Sequence, residues 1–219
     1  MKRKRLLMCG FAAALIGCPR PDSGPSEAEI AEARRELITR GRTDQEVRTG
    51  VFGPGGAVDS ASAQRMMHTD SANTTWLKAY VAKWGWPRVR VLGREAVEAA
   101  FFIVQHAVHD TAFQRQMLPE VRGAAQRGDL DAQSVALLTD RIATQAKRPQ
   151  TYGTQTSIRD GRLVFDPIED SANVDERRRS VGLPPLMVYK RLLDSMYNIT
   201  PPKQRKAAID SARTPRTPH

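Results

Sequence analysis

Arg94-Glu95-Ala96-Val97-Glu98-Ala99-Ala100-Phe101-Phe102-Ile103-Val104-Gln105-His106-Ala107-Val108-His109 reads as one amphipathic helix with a polar end. Steps of ~100° per residue put Val97, Phe101, Val104 and Val108 on one stripe. Glu98, Phe102, Gln105, His106 and His109 fall on another, so the histidines stand beside the apolar stripe on a polar, partly aromatic face. Asp110 suits the N-cap of a following helix, Thr111 to about Arg127, with Pro119 as a point of kink or division.

Working outward, helical spacing dominates. Ser26 with Glu29 is a capping-box signature, and Ile30, Ala33, Leu37 and Ile38 predict a helix over 27–40. Asp44 to Arg48 is read as a short helix or an extension of it, and the four glycines of 50–57 as a loop. A further helix is expected over 61–84, with Met66, Met67, Trp76, Leu77, Tyr80 and Val81 as core candidates, ended by Gly85-Trp86-Pro87. After Asp131, residues 132–146 place Val135, Leu138 and Ile142 inward, with Arg141 and Gln145 flanking them. The period then changes to two. Asp160-Gly161 is a two-residue hairpin turn, and its register pairs Ile158 with Leu163 and Thr156 with Phe165. Helices return over 174–181 and 185–198, the latter with Leu186, Tyr189, Leu192, Leu193 and Met196 facing in. The expectation is a mainly α single domain over 26–199, with one β-hairpin at about 152–165 packed on it.

The first residues carry an address. Lys2 to Arg5 form a basic n-region and Leu6 to Ile16 an apolar h-region of signal-peptide length. Leu15-Ile16-Gly17-Cys18 resembles the lipobox of bacterial lipoproteins, which implies a signal peptide over 1–17, lipid on Cys18, and a tether over 18–25. The expected location is the bacterial cell envelope, anchored to the membrane and facing the periplasm or exterior. With Cys9 removed and Cys18 acylated, no thiol remains for a disulfide, a metal or a nucleophile.

The net charge of +10 is concentrated at the ends. Residues 1–17 hold +4 and the basic tail another +4, from Lys203, Arg205, Lys206, Arg213 and Arg216 against Asp210, leaving +2 for 18–200. The folded part therefore has no basic face, and nucleic acid is not an expected partner. The tail over 200–219, with its Thr-Pro repeats, reads as a solvated end.

Polar residues recur in short clusters: Asp44-Gln45 with Arg48, Asn73, Gly85-Trp86-Pro87, Val104-Gln105-His106-Ala107, Phe113-Gln114 and Asp140-Arg141. They continue through Arg148-Pro149-Gln150, Tyr152-Gly153-Thr154-Gln155, Val174-Asp175 with Arg177-Arg178, and Gly182-Leu183-Pro184-Pro185-Leu186. Together these resemble a widespread family of uncharacterised bacterial proteins, a domain of unknown function, over about 30–189. The resemblance implies no activity. The family often has Pro at the position of Thr111, and its residue at His109 varies.

The chemistry of these clusters allows two readings. His106 and His109 are three apart, as two helical metal ligands can be, with Asp110 or Asp140 as a third. The usual zinc spacing and its Glu are missing, however, and no strong metal or nucleotide motif appears, so the cofactor stays unassigned. The leading site is instead acid/base: His106 is the group that takes or gives the proton, Asp140 orients it, and Arg141 holds an anion or oxyanion. Gln105, Gln150, Tyr152, Thr154 and Gln155 would bind the ligand, a small polar or anionic molecule acted on by hydrolysis. The competing reading is a structural or interaction lipoprotein whose polar residues satisfy one another. In it Asp44, Asp110 and Asp131 are helix caps, and Asp175, Arg177 and Arg178 are helix-start and surface charge.

Overall fold

A computed structural model describes residues 24–49, 51, 59–159 and 162–196. The expected signal peptide, Cys18, the Asp160-Gly161 turn and the basic tail lie outside the described residues. The architecture is mainly helical, with a single two-stranded antiparallel hairpin among the described residues. No described helix is long and apolar enough to cross a membrane.

The centre is α4 (Arg94–His106), which packs against α1 (Glu27–Glu46), α2 (Ser60–Trp84), α3 (Val89–Leu92), α5 (Thr111–Gln126) and α6 (Ala132–Gln145). Neighbours on several sides bury it almost all round, including Ala96, Val97, Ala100, Phe101, Ile103 and Val104. Leu37, Leu77, Leu92, Phe113, Met117, Val121 and Leu138 complete the core from the surrounding helices. Among the proposed core residues, Met67, Leu192 and Met196 are exposed instead.

Two helix boundaries differ from expectation, and both matter for the site. Helix α1 runs on through Gly41 to Glu46 rather than stopping at Arg40, so the Asp44 segment extends it instead of forming a separate short helix. Gly usually weakens a helix interior, but here a β-carbon on Gly41 would lie 2.6 Å from the Cβ of Ala99. The missing side chain lets α1 approach α4, which offsets its poor propensity. At the other end, α4 stops at His106 instead of His109. The buried Gln114 side chain donates to the carbonyls of Val104 (3.0 Å) and Gln105 (3.2 Å), occupying acceptors that a longer helix would have filled. The chain turns there, and Asp110 caps α5 by accepting from the Phe113 N–H at 3.0 Å. Pro119 lies inside α5 without dividing it.

Strands β1 (Thr156–Arg159) and β2 (Arg162–Phe165) pair in the expected register, Ile158 opposite Leu163 and Thr156 opposite Phe165. Their apolar face meets Tyr189 and Leu193 of α8 (Leu186–Met196). Residues 152–155 are not strand but an irregular segment, fixed from two sides. From α6, Asp140 accepts from the N–H groups of Thr151 (2.8 Å), Tyr152 (3.0 Å) and Thr154 (2.9 Å) and from Thr154 Oγ1 (3.0 Å). From α7 (Val174–Ser180), Arg178 donates to the carbonyls of Tyr152 (2.6 Å), Gly153 (3.1 Å) and Pro184 (2.6 Å). Arg178 is thus no surface charge: it is fully buried, lies 4.8 Å from the Tyr189 ring centre, and burial lowers its pKa.

Candidate functional site

The close approach at Gly41 carries Asp44, one turn further on, to the end of α4. There the Asp44 carboxylate lies 2.9 and 3.0 Å from His106 Nδ1. Asp44 is fully buried and also accepts from Gln45 Nε2 at 2.7 Å. Arg48, one turn on again, donates to the Asp44 carbonyl at 2.8 Å and stands 3.2 Å from its carboxylate. The same guanidinium reaches α2, donating to Asp70 Oδ1 at 2.7 Å. Three helices are thereby joined by a His106–Asp44–Arg48–Asp70 chain.

This arrangement sets the histidine's tautomer. With a carboxylate on Nδ1, the neutral ring keeps its proton there and presents an Nε2 lone pair. Nε2 has no hydrogen-bond partner among the described residues. Phe102 lies parallel to the imidazole, with ring centres 6.2 Å apart, and restricts its rotation. On Asp70, burial raises the carboxyl above its ordinary value of 3.8, and the Arg48 hydrogen bond opposes that rise only in part.

His106 and Asp70 form part of the wall of a cavity of about 590 Å³. Arg48, Gln105, Arg141, Thr154, Gln155 and Tyr189 also line it. Five residues singled out in the sequence, Gln105, His106, Arg141, Thr154 and Gln155, therefore meet at one cavity. Gln105 is buried and donates to the Leu137 carbonyl at 3.3 Å, while its Oε1 has no partner among the described residues. Gln155 Nε2 donates to Thr154 Oγ1 at 2.8 Å.

Three of the selected residues serve otherwise. Asp140 does not orient His106; Asp44 does. Adjacent helix positions are ~100° apart, so while Arg141 lines the cavity, Asp140 binds the 151–154 backbone. Gln150 is fully buried and holds the start of the hairpin, donating to the carbonyls of Gln155 (2.9 Å) and Asp166 (2.8 Å) and accepting from the Gln155 N–H (2.8 Å). Tyr152 is held through its backbone and does not line this cavity. The His106/His109 pairing also dissolves, since His109 lies beyond the end of α4 and is exposed. Among the described residues no group of three or more His, Cys, Asp or Glu side chains is placed to hold a metal.

Residues 31–201 match the model of a family of unknown function, DUF6624. The chain belongs to that family. No curated protein and no solved structure matches it. The DUF6624 span includes every cavity residue named above and excludes Cys18.

Sequence reasoning missed Asp44, Arg48 and Asp70 as neighbours of His106. A signal existed for the first two: an acid and an arginine four apart share one helical face. Ending the first helix at Arg40 obscured it, by letting Asp44 pass as a cap. Asp70, a lone acid within a long helix, offered no such signal.

Proposed function

We propose that this DUF6624 domain binds a small polar or anionic ligand in the His106 cavity and acts on it hydrolytically. The observation that carries this reading is a histidine whose Nδ1 is held by a buried carboxylate and whose ring lines a cavity shared with an arginine. In that geometry Nε2 removes a proton from water or a substrate hydroxyl, and Asp44 stabilises the imidazolium that forms. Arg141 offers charge to an anionic group or developing oxyanion. Asp70, its carboxyl raised by burial and held by Arg48, stands on the same wall. Gln105 and Gln155 supply polar groups that orient the ligand, and Thr154 fixes Gln155.

The reading is tested with 4-nitrophenyl acetate and 4-nitrophenyl phosphate as hydrolysis probes, alongside thermal melts with small anions. His106→Asn, whose amide can still donate to Asp44, is expected to abolish probe hydrolysis and to leave the melt nearly unchanged. A different outcome supports a structural or interaction role, which the saturated Asp44 carboxylate favours. In that case His106→Ala and Gln155→Ala would each destabilise the domain by several kcal/mol, as a broken buried network does, with no ligand response to lose.

We also propose that the protein is an exported envelope lipoprotein, held to the membrane by lipid on Cys18. The lipobox-like Leu15-Ile16-Gly17-Cys18 supports this. Labelled fatty acid should enter the wild-type chain and not Cys18→Ser; absence of label from both would remove the anchor.

A further inference from the structure

Beside the His106 cavity lies a second cleft of about 700 Å³, between the C-terminal end of α6 and the base of the hairpin. The two share Arg141, Gln155 and Thr156, so they are neighbours across those residues. The cleft adds Lys147 and Arg148 against one carboxylate, Asp166. Asp166 is already engaged, accepting from Ser157 Oγ at 2.7 Å with Arg159 3.5 Å away. Neither Lys147 nor Arg148 pairs with a carboxylate among the described residues. The lining therefore carries an excess of positive charge that suits an anion.

The backbone supplies an independent mark. Helix α6 ends with the Arg148 N–H donating to the Ala143 carbonyl and the Lys147 N–H to the Thr144 carbonyl, both at 2.9 Å. This closing motif puts the residue after the cap in the left-handed region, where Gly is favoured. Here that residue is Lys147, at φ 55°. A side chain there carries strain. Cations do favour helix C-termini, but Arg148 alone meets that need without a strained lysine. A strained residue whose charge borders a cleft next to the candidate site is what a ligand-binding role would retain.

We propose that this cleft is an anion subsite continuous with the His106 cavity. The ligand is then an elongated small molecule, bearing an anionic group at Lys147 and Arg148, away from the bond presented to His106. Only the place of the reacting bond rests on the proposed function; the subsite stands on its own residues.

Calorimetric titration of the full chain with inorganic phosphate and with tripolyphosphate tests the proposal. Tripolyphosphate should bind at least ~10-fold more tightly, and K147G and R148Q should each weaken it by roughly 3- to 10-fold. K147G should do so with the melting temperature held or raised by up to ~4 °C, a combination that a purely structural lysine would not produce. Tripolyphosphate affinity unchanged in both variants overturns the proposal. Saturation by phosphatidylglycerol vesicles without any response to tripolyphosphate also overturns it, in favour of a lipid headgroup. H106Q separates the two ideas. If it keeps full probe hydrolysis, the reading of His106 fails while the subsite is still judged by K147G and R148Q. If tripolyphosphate affinity survives in H106Q and falls in K147G, the subsite holds whatever His106 does.

Discussion

Replacing Asp140 with Asn separates an anchor from a catalytic group. The carboxylate accepts three backbone N–H bonds and one hydroxyl bond, all between 2.8 and 3.0 Å. In Asp140→Asn, Oδ1 can still accept from Thr151 and Tyr152, but the amide nitrogen now faces the Thr154 N–H, donor against donor. Thr154 is buried, so that orphaned donor costs ~1–3 kcal/mol. The two surviving bonds lose their charge assistance, about 1 kcal/mol each. Relief from burying a net charge returns part of this, leaving a loss of about 3 kcal/mol. Asp140→Ala should cost more, on the order of 5 kcal/mol, since all three N–H groups lose their acceptor and water reaches only the half-buried Thr151 and Tyr152. Urea unfolding followed by circular dichroism reads these values, provided the slope stays constant. A Thr154→Val cycle should show coupling of ~0.5–3 kcal/mol. Asp140→Asn costing under about 1 kcal/mol, yet abolishing probe hydrolysis, would refute the anchor and restore Asp140 to the chemistry.

Three more outcomes follow from the packing and the charges. Arg178→Lys keeps the cation but loses the fork that holds the carbonyls of Tyr152, Gly153 and Pro184; we expect ~2–4 kcal/mol lost in urea, and tolerance of Lys would show that charge alone suffices. Gly41→Ala drives a methyl into Ala99, costing ~1–3 kcal/mol and lengthening Asp44–His106; a stabilised variant, detected by melting, would mean the helices are not held at that distance. Asp70 has a pKa raised in the fold by burial, so the folded state binds the extra proton and stability is lost as pH rises from the ordinary value through the raised one. The stability of wild type minus Asp70→Asn should therefore fall with rising pH across that window; a flat or rising difference would contradict the burial of the ionised form.

Periodicity made most of the fold legible before any coordinates. The hairpin register followed from alternation and from a two-residue turn, and the helices from apolar residues three and four apart. Legibility failed where a tertiary contact overrides a local signal. Gly41 is a helix terminator by propensity and an interior residue because Ala99 needs the space. His109 continues the helical pattern, but Gln114, which no local rule connects to it, closes α4 three residues earlier. The site was legible in part for the same reason. Gln105, His106 and Arg141 lie on predicted helices, and Thr154 and Gln155 just before the predicted hairpin pairing, whereas Asp44 and Asp70 depend on how three helices approach one another. Arg178 was misplaced because nothing local distinguishes an arginine that binds carbonyls from one in solvent.

The polar residues divide by how completely the protein itself satisfies them, and this division bears on function. Asp140 and Gln150 spend their hydrogen-bonding capacity on backbone groups of 150–166, and Arg178 spends most of its donors on carbonyls. Such groups hold a segment in place and leave little for a ligand. The His106 cluster differs. Its buried side is saturated, with Asp44 taking His106, Gln45 and Arg48, but the side that lines the cavity keeps capacity at His106 Nε2. A network retained only for stability has no use for that asymmetry. Buried ionic groups are often matched or bettered by apolar packing, and a structural role is best served when every member is satisfied. Orienting an imidazole is the task that requires one nitrogen fixed and the other offered. The cost of burying Asp44 is then explained by the direction in which it points His106, and a tautomer assignment by ¹⁵N NMR puts the argument at risk: a proton on Nε2 rather than Nδ1 in the neutral ring would leave the cavity facing a donor, and the general-base role would have to be abandoned.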